Sequence, residues 1–432
     1  MTMQRGRLFA GATALVLASA VGVVVVTKPH GGSAPGGTAA AAEATKQAAS
    51  PKSRKAALDA ILARRATAVL KDDAKAFVAS VDPKQPKLVA EQRVLFGNLR
   101  QFDFTTLRYF VADERVAPKM VAKYGRTAFT TRVMMRYELT GLDPKPVQTD
   151  LGYTFVLRSG RWILVADDAI EEALSDDGHR QPWDFQPVKV VHRGTVTVVV
   201  DKKEIPMGKK IAGISQDAVA AVRRHWPRPW NGKVMVVAMP EPRVMSLHWT
   251  TGTGAGWTIA AKAVTLYDGE PLSVKAVAPV GSRIVINPAV RKHLDEDLLV
   301  HEMTHVATVP IGLGTPTWLV EGVAEYVRCR SIEDDPQWTV DPYRKTVKAK
   351  YLPSMKVLPG EAEFDANGDR SYGQAWWATE YVVSTEGVKG MASLYTDLAR
   401  HGVSPAADAA IIKKHTGKTP AELVTAIKKF RG

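Results

Sequence analysis

The sequence predicts an α+β protein in which an N-terminal membrane segment precedes two folded regions. Three observations lead to this fold class. Residues 8–26 are apolar and uncharged, residues 54–172 change from helical spacing of apolar residues to strict alternation, and residues 186–432 begin with short strands and then become mainly helical. We expect a cone-shaped α+β domain in the first folded region. The second should combine a small β-sheet with a mainly helical C-terminal half.

Composition limits the class of protein. The chain has 432 residues, of which 45% are apolar and 24% charged, and these values exclude a disordered, collagen-like or coiled-coil chain. Its length allows two or three domains. Its net charge of +14 is compatible with nucleic acid, anionic lipid or an anionic cell wall as partner. The single cysteine, Cys329, excludes an intramolecular disulfide and a zinc site built from cysteines.

The N-terminus predicts export. Residues 8–26 would span about 28 Å as a helix, close to the thickness of the hydrocarbon core, and Arg5 and Arg7 precede them. The arginines favour a cytoplasmic N-terminus, so residues 1–27 are expected to form an uncleaved anchor of a single-pass membrane protein. A cleaved signal peptide is the alternative, because Ala18-Ser19-Ala20 resembles a cleavage site. The protein would then be secreted.

A linker separates this segment from the first folded region. Residues 28–53 are mostly Gly, Ala, Pro and Ser, which predicts a flexible tether. The first folded region, residues 54–172, then opens with helices. Apolar residues at helical spacing indicate them: Leu58, Ile61, Leu62, Val69 and Leu70, followed by Leu95, Phe96 and Leu99.

Strands follow these helices. A half-buried strand is predicted by four apolar residues that alternate with polar ones: Val133, Met135, Tyr137 and Leu139. Ser159-Gly160 separates two further strands as a hairpin. Helices followed by a curved antiparallel sheet that ends in a Gly-Arg-Trp strand resemble the NTF2-like cone-shaped fold. The resemblance implies a ligand pocket or a spacer or docking module. Without a catalytic constellation in its residues, we favour the spacer or docking role.

The second folded region, residues 186–432, begins after a polar stretch at residues 175–187. Strands are expected at residues 195–200, 233–238 and 283–287, and a helix at residues 215–225. The remainder should be mainly helical.

A five-residue motif in this helical part indicates a metal site. His301-Glu302-Met-Thr-His305 reads H-E-x-x-H. On a helix, residues four apart share a face, so both imidazoles can bind one Zn²⁺ at about 2.0–2.1 Å. Glu302 can lean over a water on that ion and act as general base in an attack on a carbonyl.

A second helix supplies carboxylates. It should begin near Pro316, with Thr315 or Thr317 as its cap. Glu321 lies sixteen residues after the second histidine, and Glu325 follows one turn later. A catalytic zinc needs three protein ligands and an open position, and Glu321 supplies the third. Glu325 can orient one histidine by accepting its free N–H.

These motifs resemble the gluzincin metallopeptidases of the peptidase MA clan, the thermolysin-like and aminopeptidase-like enzymes. H-E-x-x-H is followed here by P-x-W-L-x-E-G-x-A-E-Y. The resemblance implies that His301, His305 and Glu321 bind one Zn²⁺ per chain and that Glu302 is the catalytic base. It also implies a peptide or protein substrate.

Two further segments resemble parts of that family. Residues 283–288 resemble the edge strand that holds an extended peptide by strand addition. Residues 371–377 resemble a C-terminal helix of bacterial members, and Tyr372 within them is the candidate for stabilising the oxyanion. The alternative is that Tyr372 packs on Trp376. The exopeptidase motif G-A-M-E-N is missing, which argues against an aminopeptidase, and the choice between endopeptidase and exopeptidase activity stays open.

The predicted function is therefore an exported, membrane-anchored, zinc-dependent peptidase. Its expected partners are a peptide or protein substrate, the membrane and an anionic cell envelope. Nucleic acid is excluded as a partner, since the chain carries an export signal and no recognised binding motif. The competing hypothesis is an envelope binding or scaffold protein whose zinc site is vestigial or structural. Substrate identity and oligomeric state stay open.

Overall fold

The computed structural model describes residues 50–115, 117–168, 180–246, 260–267, 279–401 and 404–432. The first helix begins at Pro51, within the segment predicted as a linker, and the oxygen of the Ser50 side chain accepts a hydrogen bond from its first turn. Most of that linker lies outside the described ranges.

The predicted fold class needs one correction. The described residues are α+β, but no helix among them is long and apolar enough to cross a membrane. The fold class therefore stands without the membrane segment that we assigned to it. Residues 8–26, on which that segment was predicted, lie outside the described ranges.

The first folded region places helices against an antiparallel sheet. Its helices are α1 (Pro51–Leu70), α2 (Ala74–Val78), α3 (Pro86–Leu99) and α4 (Pro118–Tyr124). Its strands are β1 (Phe104–Arg115), β2 (Ala128–Leu139), β3 (Val147–Arg158) and β4 (Arg161–Ala166), which pair in that order. The predicted hairpin at Ser159-Gly160 is confirmed: both residues have positive φ, 47° and 73°, as a tight two-residue turn requires.

The second folded region contains a five-stranded sheet. Its strands are β5 (Val188–Arg193), β6 (Val196–Asp201), β7 (Val234–Val237), β8 (Ala261–Tyr267) and β9 (Pro279–Ile286), in the order β5-β6-β7-β9-β8. β6, β7 and β9 are parallel, whereas β5 and β8 run antiparallel at the two edges. The prediction that residues 283–288 form an edge strand is wrong, because β9 lies between β7 and β8.

The second region also contains α-helices, of which the first two contact strands of this sheet. The helices are α5 (Ile205–His225), α6 (Glu296–Thr308), α7 (Thr317–Glu333), α8 (Asp341–Thr346), α9 (Glu361–Ala366), α10 (Gly368–His401), α11 (Pro405–Thr416) and α12 (Pro420–Lys429). α5 begins ten residues before the predicted helix. α10 is interrupted at Gly387, whose φ is 72°. The capping prediction for α7 is wrong: Pro316 is its N-cap residue, with no side-chain cap.

Each face of the five-stranded sheet belongs to a different core. Alternate residues of the central strands, such as Val198 and Ile284, belong to an apolar core that also contains residues of α5, α6, α7 and α10. Their neighbours, such as Val199 and Val285, pack against the helices and sheet of the first region. Period-two alternation of side chains produces this division. The second of these two cores is therefore shared by both folded regions.

Polar contacts reinforce this packing. Asp143, in the loop after β2, forms a buried ion pair of 2.7 Å with Arg283 of β9. At the end of α3, the side-chain amides of Asn98 and Gln101 bind the outer edge of β5. Asn98 accepts from the Val188 amide at 3.0 Å, and Gln101 accepts from that of Val190 at 3.1 Å. The first region therefore contacts both a face and an edge of the second sheet.

Candidate metal centre

Helix α6 carries the two histidines. It begins after Asp295, whose carboxylate accepts the amide of Leu298 at 3.0 Å, and this cap satisfies an end group that the helix leaves unpaired. His301 and His305 lie one turn apart on the same face, with ring centroids 4.8 Å apart. Both are almost fully buried. Their orientation therefore depends on the surrounding protein.

Helix α7 brings a carboxylate to this pair. Glu321 is buried, and Gly322 next to it allows α10 to approach closely. A Cβ atom at position 322 would lie 2.5 Å from the carbonyl oxygen of Ala375 and would also strike Thr379. Glycine at position 322 thus has a packing reason, because it allows the close approach of α7 and α10.

Three donor atoms face one another at this point. Nε2 of His301 and Nε2 of His305 lie 3.1 Å apart, and Oε2 of Glu321 lies 3.3 and 3.4 Å from them. Ligands about 2.0–2.1 Å from a tetrahedral zinc ion are about 3.3–3.4 Å from each other. Two imidazole nitrogens and one carboxylate oxygen also form a donor set that zinc accepts. The residues fit a metal ion.

Charges in this cluster are strongly coupled. Burial disfavours protonation of His301, but its hydrogen bonds to Glu321 and Glu325 outweigh burial and raise its pKa to about 10. Burial raises the pKa of Glu321, but the two histidines outweigh it and lower this pKa to about 2. Glu321 is therefore ionised at neutral pH and can bind a cation.

Glu325 contacts the far side of one histidine. Its Oε1 atom lies 2.8 Å from Nδ1 of His301, so that nitrogen donates and Nε2 is left to face the other donors. Burial raises the pKa of Glu325, but Arg328 and His301 outweigh it and lower this pKa to about 2.

Glu302 lies between the histidines and the edge strand. Its Oε2 atom accepts the backbone amide of Ala263 in β8 at 2.7 Å. Its buried Oε1 atom has no hydrogen-bond partner among the described residues. Burial raises the pKa of Glu302, while the two histidines oppose this effect. The carboxylate is fixed through one oxygen and keeps the other for a ligand.

Tyr372 of α10 lies against the same histidine. Its ring packs edge-on on His301 with a centroid distance of 5.9 Å and on Phe364 at 5.0 Å. Trp376, which we considered as its packing partner, stacks instead on Tyr343 at 4.8 Å. Tyr372 is thus brought to the cluster by packing on His301 and Phe364, and its role toward an oxyanion stays a prediction.

The sequence reasoning did not find three residues that contact or influence the cluster. Ala263 acts through its backbone, so no side chain marks it. Lys262 lies beside it; burial lowers its pKa to about 8, although Glu302 and Glu321 oppose this shift. Nothing in the local sequence indicates its position. Arg328 was detectable, because it lies three residues after Glu325 on the same helix, a spacing at which side chains meet.

Comparisons with known proteins add little. No protein-family model and no curated protein matches this chain. Among solved structures, yeast LTA4 hydrolase is similar with a TM-score of 0.35 and 9% sequence identity. The similarity covers 56% of this chain and 38% of that protein, so the chain spans well under half of its length.

Proposed function

We propose that this protein is a zinc metallopeptidase of the gluzincin type. The observation that carries the proposal is the triangle of donor atoms from His301, His305 and Glu321, with edges of 3.1–3.4 Å, beside the partly unpartnered carboxylate of Glu302. A structural zinc site normally has four protein ligands, whereas three ligands leave a position for water or substrate. Bound zinc would supply Lewis acidity toward a carbonyl oxygen and toward water.

The protein's own groups have distinct roles in this proposal. Glu302 takes up a proton from the attacking water. Its Oε1 atom is available, and the raised pKa of this buried carboxylate suits a general base. The amide of Ala263 keeps Oε2 in place. Glu325 holds His301 in one tautomer. Tyr372 is the candidate donor to the oxyanion.

The proposed substrate is a peptide or protein. β8, an edge strand among those described, lies directly beside Glu302 through Ala263. An extended peptide can add to such an edge by main-chain hydrogen bonds, and this would bring its carbonyl groups close to the donor triangle.

The test compares zinc content and cleavage of a peptide library for the parent, Glu302→Gln and His301→Ala. We expect Glu302→Gln to retain zinc and lose activity, since it keeps the ligands and removes the base. His301→Ala should lose both. Glu380→Gln is the matched control, because Glu380 pairs with Arg330 outside the donor triangle, and it should retain both.

Two results would contradict the proposal. A parent protein that binds no zinc has no metal site. A zinc-loaded parent that cleaves nothing in the library, with Glu302→Gln functionally identical to it, favours the alternative of an envelope binding or scaffold protein.

Export is a separate proposal. It is supported by Arg5, Arg7 and the apolar residues 8–26, and it explains the net charge of +14 as suited to an anionic envelope. An alkaline phosphatase fused after residue 53 should be active, because this enzyme folds only outside the cytoplasm. An inactive fusion of normal abundance contradicts export.

A further inference from the structure

Arg328 has no part in the function proposed above, yet its guanidinium binds Glu325 with two hydrogen bonds. Its Nη2 lies 2.6 Å from Oε2 of Glu325, and its Nε lies 3.1 Å from Oε1. Such bidentate pairing fixes the plane of a carboxylate, which a single hydrogen bond does not. Since Oε1 also accepts from Nδ1 of His301, the guanidinium, the carboxylate and the imidazole form one connected series.

Aromatic side chains lie beside this series. The guanidinium carbon of Arg328 lies 5.9 Å from the centroid of the Tyr343 ring, and Tyr343 stacks on Trp376 with an interplanar angle of 11°. Trp376 lies one turn after Tyr372 on α10, and Tyr372 packs against His301. The imidazole therefore contacts Glu325 on one side and Tyr372 on another.

The charges of Glu325 and Arg328 also hold the carboxylate in place. The side chains of Glu325 and Arg328 are only 7% and 16% exposed. A buried carboxylate without a cation would carry a large desolvation cost, and it could relieve that cost by turning toward a metal cation nearby. Arg328 disfavours this rotation of the carboxylate, because it neutralises Glu325 and binds both of its oxygens.

We infer that Arg328 is a positioning residue of the metal site. Acting through Glu325, it keeps Nδ1 of His301 engaged as a donor and Nε2 directed at the ion. The inference rests on the proposed function only in requiring that a metal binds at His301, His305 and Glu321.

The test measures zinc affinity of the full chain by competition with a chelating indicator, and the visible absorption spectrum after loading with Co²⁺. Arg328→Met should weaken zinc binding about 10–100-fold, as loss of outer partners of a metal ligand does, and should alter the cobalt spectrum. Arg328→Lys should restore part of the affinity. Arg330→Met is the control: Arg330 lies on the same helix and pairs with Glu333 and Glu380 at 3.2 and 3.1 Å, and its loss should leave both measurements unchanged.

A double variant separates positioning from general destabilisation. If Arg328 acts through Glu325, then Arg328→Met should weaken zinc binding little further in a Glu325→Gln background. Additive losses overturn the inference, and so do parent-like affinity and cobalt spectrum in Arg328→Met. A parent chain that binds neither Zn²⁺ nor Co²⁺ overturns the proposed function itself, and the inference with it.

Discussion

Gly322, next to the candidate metal centre, has no room for an added methyl group. Replacing Gly322 with Ala would press Cβ against the backbone of Ala375, 2.5 Å away, in a region where α7 and α10 are both buried. Overpacking of this kind costs about 1–3 kcal/mol. We therefore expect Gly322→Ala to lower the free energy of unfolding, measured by urea titration, and to weaken zinc binding.

Gly97 offers the matched control for this variant. It also lies inside a helix, α3, but an added Cβ would have no atom within 4 Å. Gly97→Ala should stabilise the chain by about 0.4–1 kcal/mol through a less flexible unfolded state. Equal effects of the two substitutions would show that close packing at Gly322 is not the cause.

We expect zinc binding to depend on pH because of His301. Its pKa in the metal-free chain is raised to about 10, so the native chain holds a proton there between pH 6.5 and 10 that the unfolded chain lacks. The resulting stabilisation is complete below pH 6.5 and is lost as pH rises through 10. A metal must displace this proton.

We therefore predict release of about one proton per zinc bound at pH 8, measured by calorimetry in buffers of different ionisation enthalpy. Glu325→Gln should release less, since Glu325 is one of the two carboxylates that raise the pKa of His301. Zinc binding with no proton release at pH 8 would contradict a protonated His301.

The end of α3 takes the place of a neighbouring strand at the edge of β5. Asn98 accepts from the Val188 amide and donates to the carbonyls of Trp183 and Gln186 at 2.8 and 2.9 Å. Edge strands carry unpaired backbone groups, and these amides satisfy some of them. The sequence could not predict this contact, because nothing local relates Asn98 to a strand ninety residues later.

Asn98→Ala should lower the free energy of unfolding by about 2–4 kcal/mol, because it leaves buried backbone groups without partners. Lys87→Ala is the control on the same helix; the Lys87 side chain is 91% exposed, and its loss should change stability by less than about 0.5 kcal/mol. Both are measured by urea unfolding. A parent-like Asn98→Ala would mean that water replaces the amide.

Local signals decided which elements the sequence could predict. The hairpin at Ser159-Gly160 and the helix of the H-E-x-x-H motif have strong turn or spacing patterns, and the structure contains both. β8 was not predicted, and the wrong strand was assigned to the edge. Spacing within one helix foretells that His301 and His305 are neighbours, whereas the order of strands in a sheet depends on contacts distant in sequence.

The shared core makes the first region contribute to the stability of the second. Val199, Val237 and Val285 of the second sheet are buried against it, as is the ion pair of Asp143 and Arg283. This close packing was not expected of a spacer or docking module joined only in sequence. It could not be predicted because buried parallel strands are apolar on both faces whatever covers them.

We predict that residues 187–432 alone do not fold to a native state. Removal of the first region would expose one apolar face of the sheet, which leads to aggregation. The chain that begins at residue 50 is the control and should stay soluble, with one cooperative transition in calorimetry. A soluble 187–432 fragment with native near-ultraviolet circular dichroism, or two separate transitions of the longer chain, would contradict a shared core.

The amides of Asn98 and Gln101 have one more consequence. A strand that covers an edge creates a new edge, whereas the two side-chain amides at the end of α3 occupy edge positions of β5 without creating one. A neighbouring copy would find the backbone amides of Val188 and Val190 in β5 already engaged. β8 is the other edge strand among those described, and at Ala263 its outward amide is already engaged by Glu302. The hydrogen bond that orients the Glu302 carboxylate thus also occupies one main-chain donor of this edge.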